Sequence, residues 1–234
     1  MKKIILYALI LVMPIFACAK LVEMYSNDYS CEFFIVKSDT KFHIITFKKD
    51  KVNFGVSNTT KGNFKFYVNS NFFGLDGQPI GGVVIDGKRT SPRVDKGGSF
   101  VVKDGKPNIV FGSVDNAKYE SQSIIWVVKK GVVNNTMLKQ PHSKKEVMRI
   151  LMGKNKNGEI VVIHSNQYVL ATMKEIVDVA IKNGLTDVII LDSGSSVDLM
   201  LTDGNYTHSV KSVPSDIKQM VGIKEPPVYI TGSF

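Results

Sequence analysis

The 234-residue sequence predicts a strand-dominated α+β domain, a mixed sheet with at least one packed helix. Short apolar, β-branched runs recur along most of the chain. Asp-Gly and Asn-Gly dipeptides separate several neighbours as hairpin turns do. One segment alone carries a full helical signature.

The leader comes first. Lys2-Lys3 form a basic n-region, Ile4 to Phe16 is uncharged and apolar, and Ala17-Cys18-Ala19 has the small-x-small form of a signal-peptidase site. The 16 uncharged residues from Ile4 to Ala19 fall short of the roughly 20 that span a bilayer. No later segment is apolar for as long. The expectation is a signal peptide over 1–19, an exported protein, and one domain over 20–234 without a transmembrane span. The alternative is a lipoprotein anchored at Cys18, since Ile15-Phe16-Ala17-Cys18 loosely matches a bacterial lipobox. Cleavage after Ala19 leaves Cys31 alone, which excludes an intramolecular disulfide.

Strands are expected at Phe33–Val36, Phe42–Phe47, Phe64–Val68, Val83–Ile85, Phe100–Val102, Ile109–Phe111, Ile124–Val128, Ile160–Ile163, Val188–Leu191, Val197–Leu201 and Val228–Ile230. Asp86-Gly87, Asp104-Gly105, Asn157-Gly158 and Asp203-Gly204 are the turns. The helix is Thr172 to Asn183: Thr172-Met173-Lys174-Glu175 reads as a capping box, Met173, Ile176, Val177, Ala180 and Ile181 share a face, and Gly184 closes the end. Shorter helices are expected at Ser143–Met148 and Ser215–Met220, and Asn134 to Lys145 reads as a surface loop. No linker or repeat divides the chain.

A hydrophobic content of 44% and a charged content of 22% are those of an ordinary globular domain. Loss of Lys2 and Lys3 with the leader lowers the net charge from +9 to +7. No helix has a basic face and no zinc or helix-turn-helix spacing is present, so nucleic acid is not an expected partner. The phosphate-loop and H-E-x-x-H patterns are missing. Gly194-Ser195-Ser196 lacks the second glycine of a serine-hydrolase elbow.

The segment richest in chemistry is Asp187-Val188-Ile189-Ile190-Leu191 followed by Asp192-Ser193-Gly194-Ser195-Ser196. A buried strand delivers one carboxylate to its tip, and a small-residue turn lets a ligand approach the backbone. Asn69-Ser70-Asn71-Phe72-Phe73 and Gly77-Gln78-Pro79-Ile80-Gly81 form a second such loop. Phe72 and Phe73 are expected in the core, and Asp76 in the turn. Asn71 either orients a ligand or folds its own loop.

Together these segments, with Arg149 on a middle strand, resemble the phosphodiester glycosidase family over roughly Asn63 to Leu201. The family pattern joins an N-x-x-F-F loop, a G-x-P-x-G turn, an arginine-bearing strand and a late Asp-Gly-Gly-Gly-Ser-type loop. Here two glycines of that last loop are serines, which costs strain wherever φ is positive. The resemblance implies a phosphodiester glycosidase-like fold and a secreted hydrolase of carbohydrate metabolism acting on a glycosyl phosphodiester or related surface glycan. The alternative is a non-catalytic glycan-binding protein that keeps the fold.

Such a substrate leaves as a phosphate monoester, whose second pKa is about 6, so the enzyme needs donors for the phosphate and a carboxylate opposite the oxocarbenium-like centre. Asp192 is the expected carboxylate, Arg149 the phosphate clamp and His164, at a strand end, the proton-transfer group. Asn69, Asn71, Ser193, Gly194, Ser195 and Ser196 are the expected substrate-binding residues. The sequence requires no cofactor, although a divalent cation such as calcium is compatible with Asp192 and nearby carbonyls. Intact mass or N-terminal sequencing of the exported protein should place the mature start at Lys20. A diacylglyceryl mass on Cys18 would establish the lipoprotein instead.

Overall fold

A computed structural model describes residues 28–112, 114–214, 217, 219 and 224–234. The expected leader and most of the expected Ser215–Met220 helix lie outside them. Among the described residues, eighteen strands form three sheets in which every pairing is antiparallel. The strand-dominated fold with a packed helix is what the structure shows, with three antiparallel sheets in place of one mixed sheet.

The largest sheet runs β1 (Tyr29–Ser30), β2 (Phe34–Ser38), β3 (Phe42–Phe47), β14 (Ile160–Ser165), β13 (Ile150–Asn155), β15 (Leu185–Ile190), β11 (Trp126–Lys129) and β12 (Val132–Val133). The second runs β7 (Lys88–Ser91), β6 (Val83–Ile85), β10 (Tyr119–Ser123), β8 (Gly98–Lys103) and β9 (Lys106–Val110). The third runs β17 (Thr207–Lys211), β16 (Asp198–Thr202), β5 (Phe66–Asn69), β18 (Tyr229–Ser233) and β4 (Asn53–Ser57).

The middle of the large sheet is buried on both faces, which is why its strands read as continuous apolar runs. Ile150, Met152, Ile160 and Val162 face one core with Phe34, Phe47, Phe54, Phe66 and Phe100, against the two smaller sheets. Leu151, Val161 and Ile163 face the other core. That side is covered by the helix Met173–Lys182, which follows α1 (Asn135–Leu138) and α2 (Pro141–Lys144) and is therefore α3. Its capping box is formed, with Thr172 N–H donating to Glu175 Oε2 at 2.8 Å and Glu175 N–H to Thr172 Oγ1 at 3.3 Å. Gly184 follows at φ +71°.

Asp86-Gly87 and Asp104-Gly105 have φ > 0 at both residues, as two-residue hairpin turns demand. The expected helix at Ser143–Met148 is displaced. Helix α2 starts earlier because Pro141 sits at its first position, and it ends where Lys145 turns extended. The stretch from 134 to 145, expected as loop, thus carries two single-turn helices.

Gly153, in the centre of β13, shows how tightly the layers meet. A Cβ there would lie 2.7 Å from Leu185 Cδ2 and 2.8 Å from the Asp187 carbonyl oxygen. The second neighbour is backbone and cannot rotate away. Gly153→Ala should cost about 1–3 kcal/mol by overpacking, read from the urea midpoint. A wild-type midpoint would show that β15 yields without cost.

Candidate active site

Strand β15 ends at Ile190, and Asp192 emerges half-buried just beyond it. The Asn69 loop meets it there from the third sheet. Asp192 N–H donates to the Ser70 carbonyl at 2.9 Å. The Asn69 side chain, fully buried, donates to the Asp192 carbonyl at 2.7 Å and accepts from Asp198 N–H at 2.9 Å. One carboxamide therefore holds both ends of the loop from 192 to 198. Gly194 N–H donates to the Met148 carbonyl at 2.8 Å, tying the loop to the start of β13 as well.

The altered glycines fit without strain. Ser193 is extended, at φ −113° and ψ −176°, and Ser195 and Ser196 lie in a single 3-10 turn outside the positive-φ residues. The position that does need φ > 0, at +70°, keeps its glycine, Gly194. Serines thus replace glycine only where a side chain costs nothing. Ser193 donates to the Leu191 carbonyl at 3.1 Å, Ser195 is exposed and Ser196 is buried.

Asn71 is fully buried and turned inward. It donates to the Gln122 carbonyl at 2.9 Å and accepts from Ser121 and, at 3.1 Å, from Ser70. Of its two expected roles the contacts show loop folding. Phe72 packs against the helix-side core, and Asp76 accepts from Gln78 N–H at 3.0 Å within its turn.

Arg149 and His164 lie on opposite faces of the large sheet. Ile150 pairs directly with His164, so these two share a face and Arg149, one residue earlier, points the other way. The Arg149 guanidinium is buried among backbone carbonyls. Nε donates to Ala171 at 3.1 Å, and Nη2 to His142 at 2.9 Å and Lys145 at 2.6 Å. Burial lowers its pKa from the ordinary arginine value. It braces the α1–α2 segment from behind.

His164 belongs to a buried trio with His43 and His208, residues whose proximity was not legible in the sequence. The three ring centroids lie 4.5–5.2 Å apart. His164 Nδ1 lies 2.7 Å from the Ser165 carbonyl and must carry the proton, because a carbonyl only accepts. Its Nε2 then accepts from His208 Nε2–H at 2.9 Å. Both ring nitrogens of His164 are thereby engaged in the interior. His43 Nδ1 meets Ser38 Oγ at 2.5 Å. Among the described residues no group of three or more His, Cys, Asp or Glu could hold a metal ion.

These features define a class. The chain belongs to the phosphodiester glycosidase family, whose model matches residues 62–224. Solved structures that share its fold include three of interest. The catalytic domain of zebrafish N-acetylglucosamine-1-phosphodiester alpha-N-acetylglucosaminidase, auto-inhibited by its pro-peptide, is 14% identical with a TM-score of 0.60, over 88% of this chain and 80% of that one. A hypothetical protein from Synechocystis is 11% identical at TM-score 0.58, over 88% and 61%. A Burkholderia pseudomallei protein assigned as exported is 9% identical at TM-score 0.53, over 85% and 74%. At these identities the likeness is one of fold. No curated protein matches the chain.

The histidine trio makes stability depend on pH. Burial lowers the pKa of all three: His164 well below its ordinary value, helped by its two neighbours, and His208 to about 4. In the unfolded chain each returns to about 6.5, so protonation favours unfolding. Stability is full above that value and falls as pH drops from about 6.5 towards 4. Glu175 and Asp203, each lowered to about 2, lose their contributions only at more acid pH. The urea midpoint should therefore fall between pH 7 and pH 5, and His208→Gln should flatten that slope. A midpoint constant over this range would contradict the assignment.

Proposed function

We propose that the chain is an exported hydrolase that cleaves a glycosyl phosphodiester, with Asp192 as its catalytic carboxylate. The observation that carries this reading is the anchoring of Asp192. Its loop is the family's late loop, fixed to two separate segments, the end of β5 through Asn69 and Ser70 and the approach to β13 through Met148. Family membership supports the reaction class. Export is supported by the leader sequence and by the likeness to the Burkholderia protein.

In this mechanism the bond between the anomeric carbon and the bridging oxygen breaks, and the phosphate monoester departs with the electron pair. Its low basicity removes the need for a strong general acid. The developing positive charge on the ring needs a fixed negative partner, and Asp192 supplies it as electrostatic stabiliser, nucleophile or base toward water. Ser193 and Ser195 line the same turn and would offer hydroxyls to substrate, while Gly194 supplies the positive φ of the turn with its N–H held by Met148. Asn69, Asn71 and Arg149 are positioning residues. They hold the loop and the neighbouring wall with side chains already committed to protein partners.

Asp192→Asn keeps the size of the side chain and removes its charge. Release of sugar and phosphomonoester from a panel of glycosyl phosphodiesters should fall by at least ~100-fold, the scale of one catalytic electrostatic group, with the urea midpoint near wild type. Undiminished turnover in the variant would remove Asp192 from the chemistry. Glycan binding by the wild type without cleavage of any substrate would favour the binding-protein reading.

A further inference from the structure

Between the end of β14 and the start of α3 the chain makes a turn that breaks two local rules. It runs from Asn166 to Val169 and is closed by Val169 N–H donating to the Asn166 carbonyl at 2.9 Å. Its third residue, Tyr168, has φ +63°. Glycine or asparagine ordinarily takes that position, because a larger side chain crowds the backbone there. Asn166 at the base of the turn is buried. Its Oδ1 is the only buried side-chain oxygen or nitrogen among the described residues with no hydrogen-bond partner.

Nothing inside the protein offsets these costs. The Tyr168 ring is 72% exposed and has no ring contact or side-chain hydrogen bond among the described residues. Leu170, two residues on, is 50% exposed. The turn cannot relax by moving, because its flank is pinned. Asn166 N–H and Nδ2 donate to the Lys41 and Asp39 carbonyls, each at 2.9 Å. Gln167 Nε2 donates to the Lys211 carbonyl at 2.8 Å, and Lys211 N–H returns a bond to Gln167 Oε1 at 3.2 Å. A tyrosine is thus held outward where its backbone disfavours it. Such violations persist where the side chain is needed for a purpose other than folding.

The turn adjoins the Asp192 loop at both margins of that loop. Lys211, held by Gln167, is the cross-strand partner of Asp198, and Ser212 N–H donates to the Val197 carbonyl at 2.9 Å. On the other side Ala171 and Val147 exchange backbone hydrogen bonds at 3.0 and 3.3 Å. The residue after Val147 is Met148, whose carbonyl holds Gly194 N–H. These links place the Tyr168 turn and the Asp192 loop at one end of the molecule.

We propose that Tyr168 is an aromatic platform for the sugar ring of the substrate, and so a specificity-determining residue of the Asp192 site. The phenol face and Leu170 offer apolar surface, and the phenol hydroxyl offers a hydrogen bond at its edge. A pyranose has the matching character, with C–H bonds on its flat side and hydroxyls around its rim. That assignment rests on the hydrolase reading for the identity of the ring. The strain and the exposure of Tyr168 stand without it.

Tyr168→Asn removes the ring and installs a residue suited to positive φ. Its urea midpoint should equal or exceed that of wild type, because strain is relieved and no packing is lost. On methyl phosphodiesters of hexoses and of N-acetylated hexosamines its KM should rise at least about tenfold while kcat stays within about threefold, as when a contact made equally in ground and transition states is lost. Tyr168→Phe keeps the ring and should hold KM within about threefold of wild type. An unchanged KM in Tyr168→Asn on every diester cleaved would overturn the proposal and leave the hydrolase standing. A midpoint well below wild type would show the ring to be part of the fold, and would overturn it too. If the wild type cleaves none of these diesters, calorimetry with the same compounds decides. Binding that Tyr168→Asn abolishes upholds Tyr168 and removes the hydrolase. Binding indifferent to the substitution, or no binding, removes both.

Discussion

The buried carboxamide of Asn69 is the contact on which the site depends. It spans the Asp192 carbonyl and the Asp198 N–H, partners 123 and 129 residues away in sequence. Removing it would free the Asp192 carbonyl and leave the buried Asp198 N–H without its partner, the latter at roughly 1–3 kcal/mol. Apolar packing could hold β5 and β15 near one another, but it would not fix the orientation of the turn between Asp192 and Asp198. Hydrogen bonds are directional, and the role proposed for Asp192 needs direction more than proximity.

This dependence explains which parts of the fold the sequence discloses. The apolar strands and α3 were legible because burial leaves a pattern of period 2 or 3.6. Strand β10, Tyr119 to Ser123, was not, since it carries Glu-Ser-Gln-Ser where a pattern search expects apolar residues. Those four side chains are nonetheless buried. Glu120 meets Arg93, Arg89 and Ser99; Ser121 meets Ser70 and Asn71; Gln122 accepts from Gly82 and Val94 N–H. Polar residues can fill a strand interior when every group finds a partner, and the partners come from distant segments. The division into three sheets was hidden for a related reason. Local turns reveal hairpins, whereas the packing of Phe47, Phe54, Phe66 and Phe100 decides which sheet faces which.

The site was legible in the same uneven way. A strand tip followed by small residues singles out Asp192 as a candidate from local sequence. The environments of Arg149 and His164 depend on strand register, and local sequence does not record register. Once Ile150 pairs with His164, alternation sends Arg149 to the helix side and His164 into the core beside His43 and His208.

The serines of the late loop show what this polar framework permits. A loop held only by its own glycines must keep them wherever its path is tight. Here the path is set from outside, by Asn69, Ser70 and Met148, and only one residue is driven to positive φ. Gly194 meets that demand, and the neighbouring positions are released from it. Two hydroxyls can then occupy the turn beside the carboxylate without altering its course. Because the constraint lies in the anchors, side chains within the loop can change while the backbone path at Asp192 is preserved.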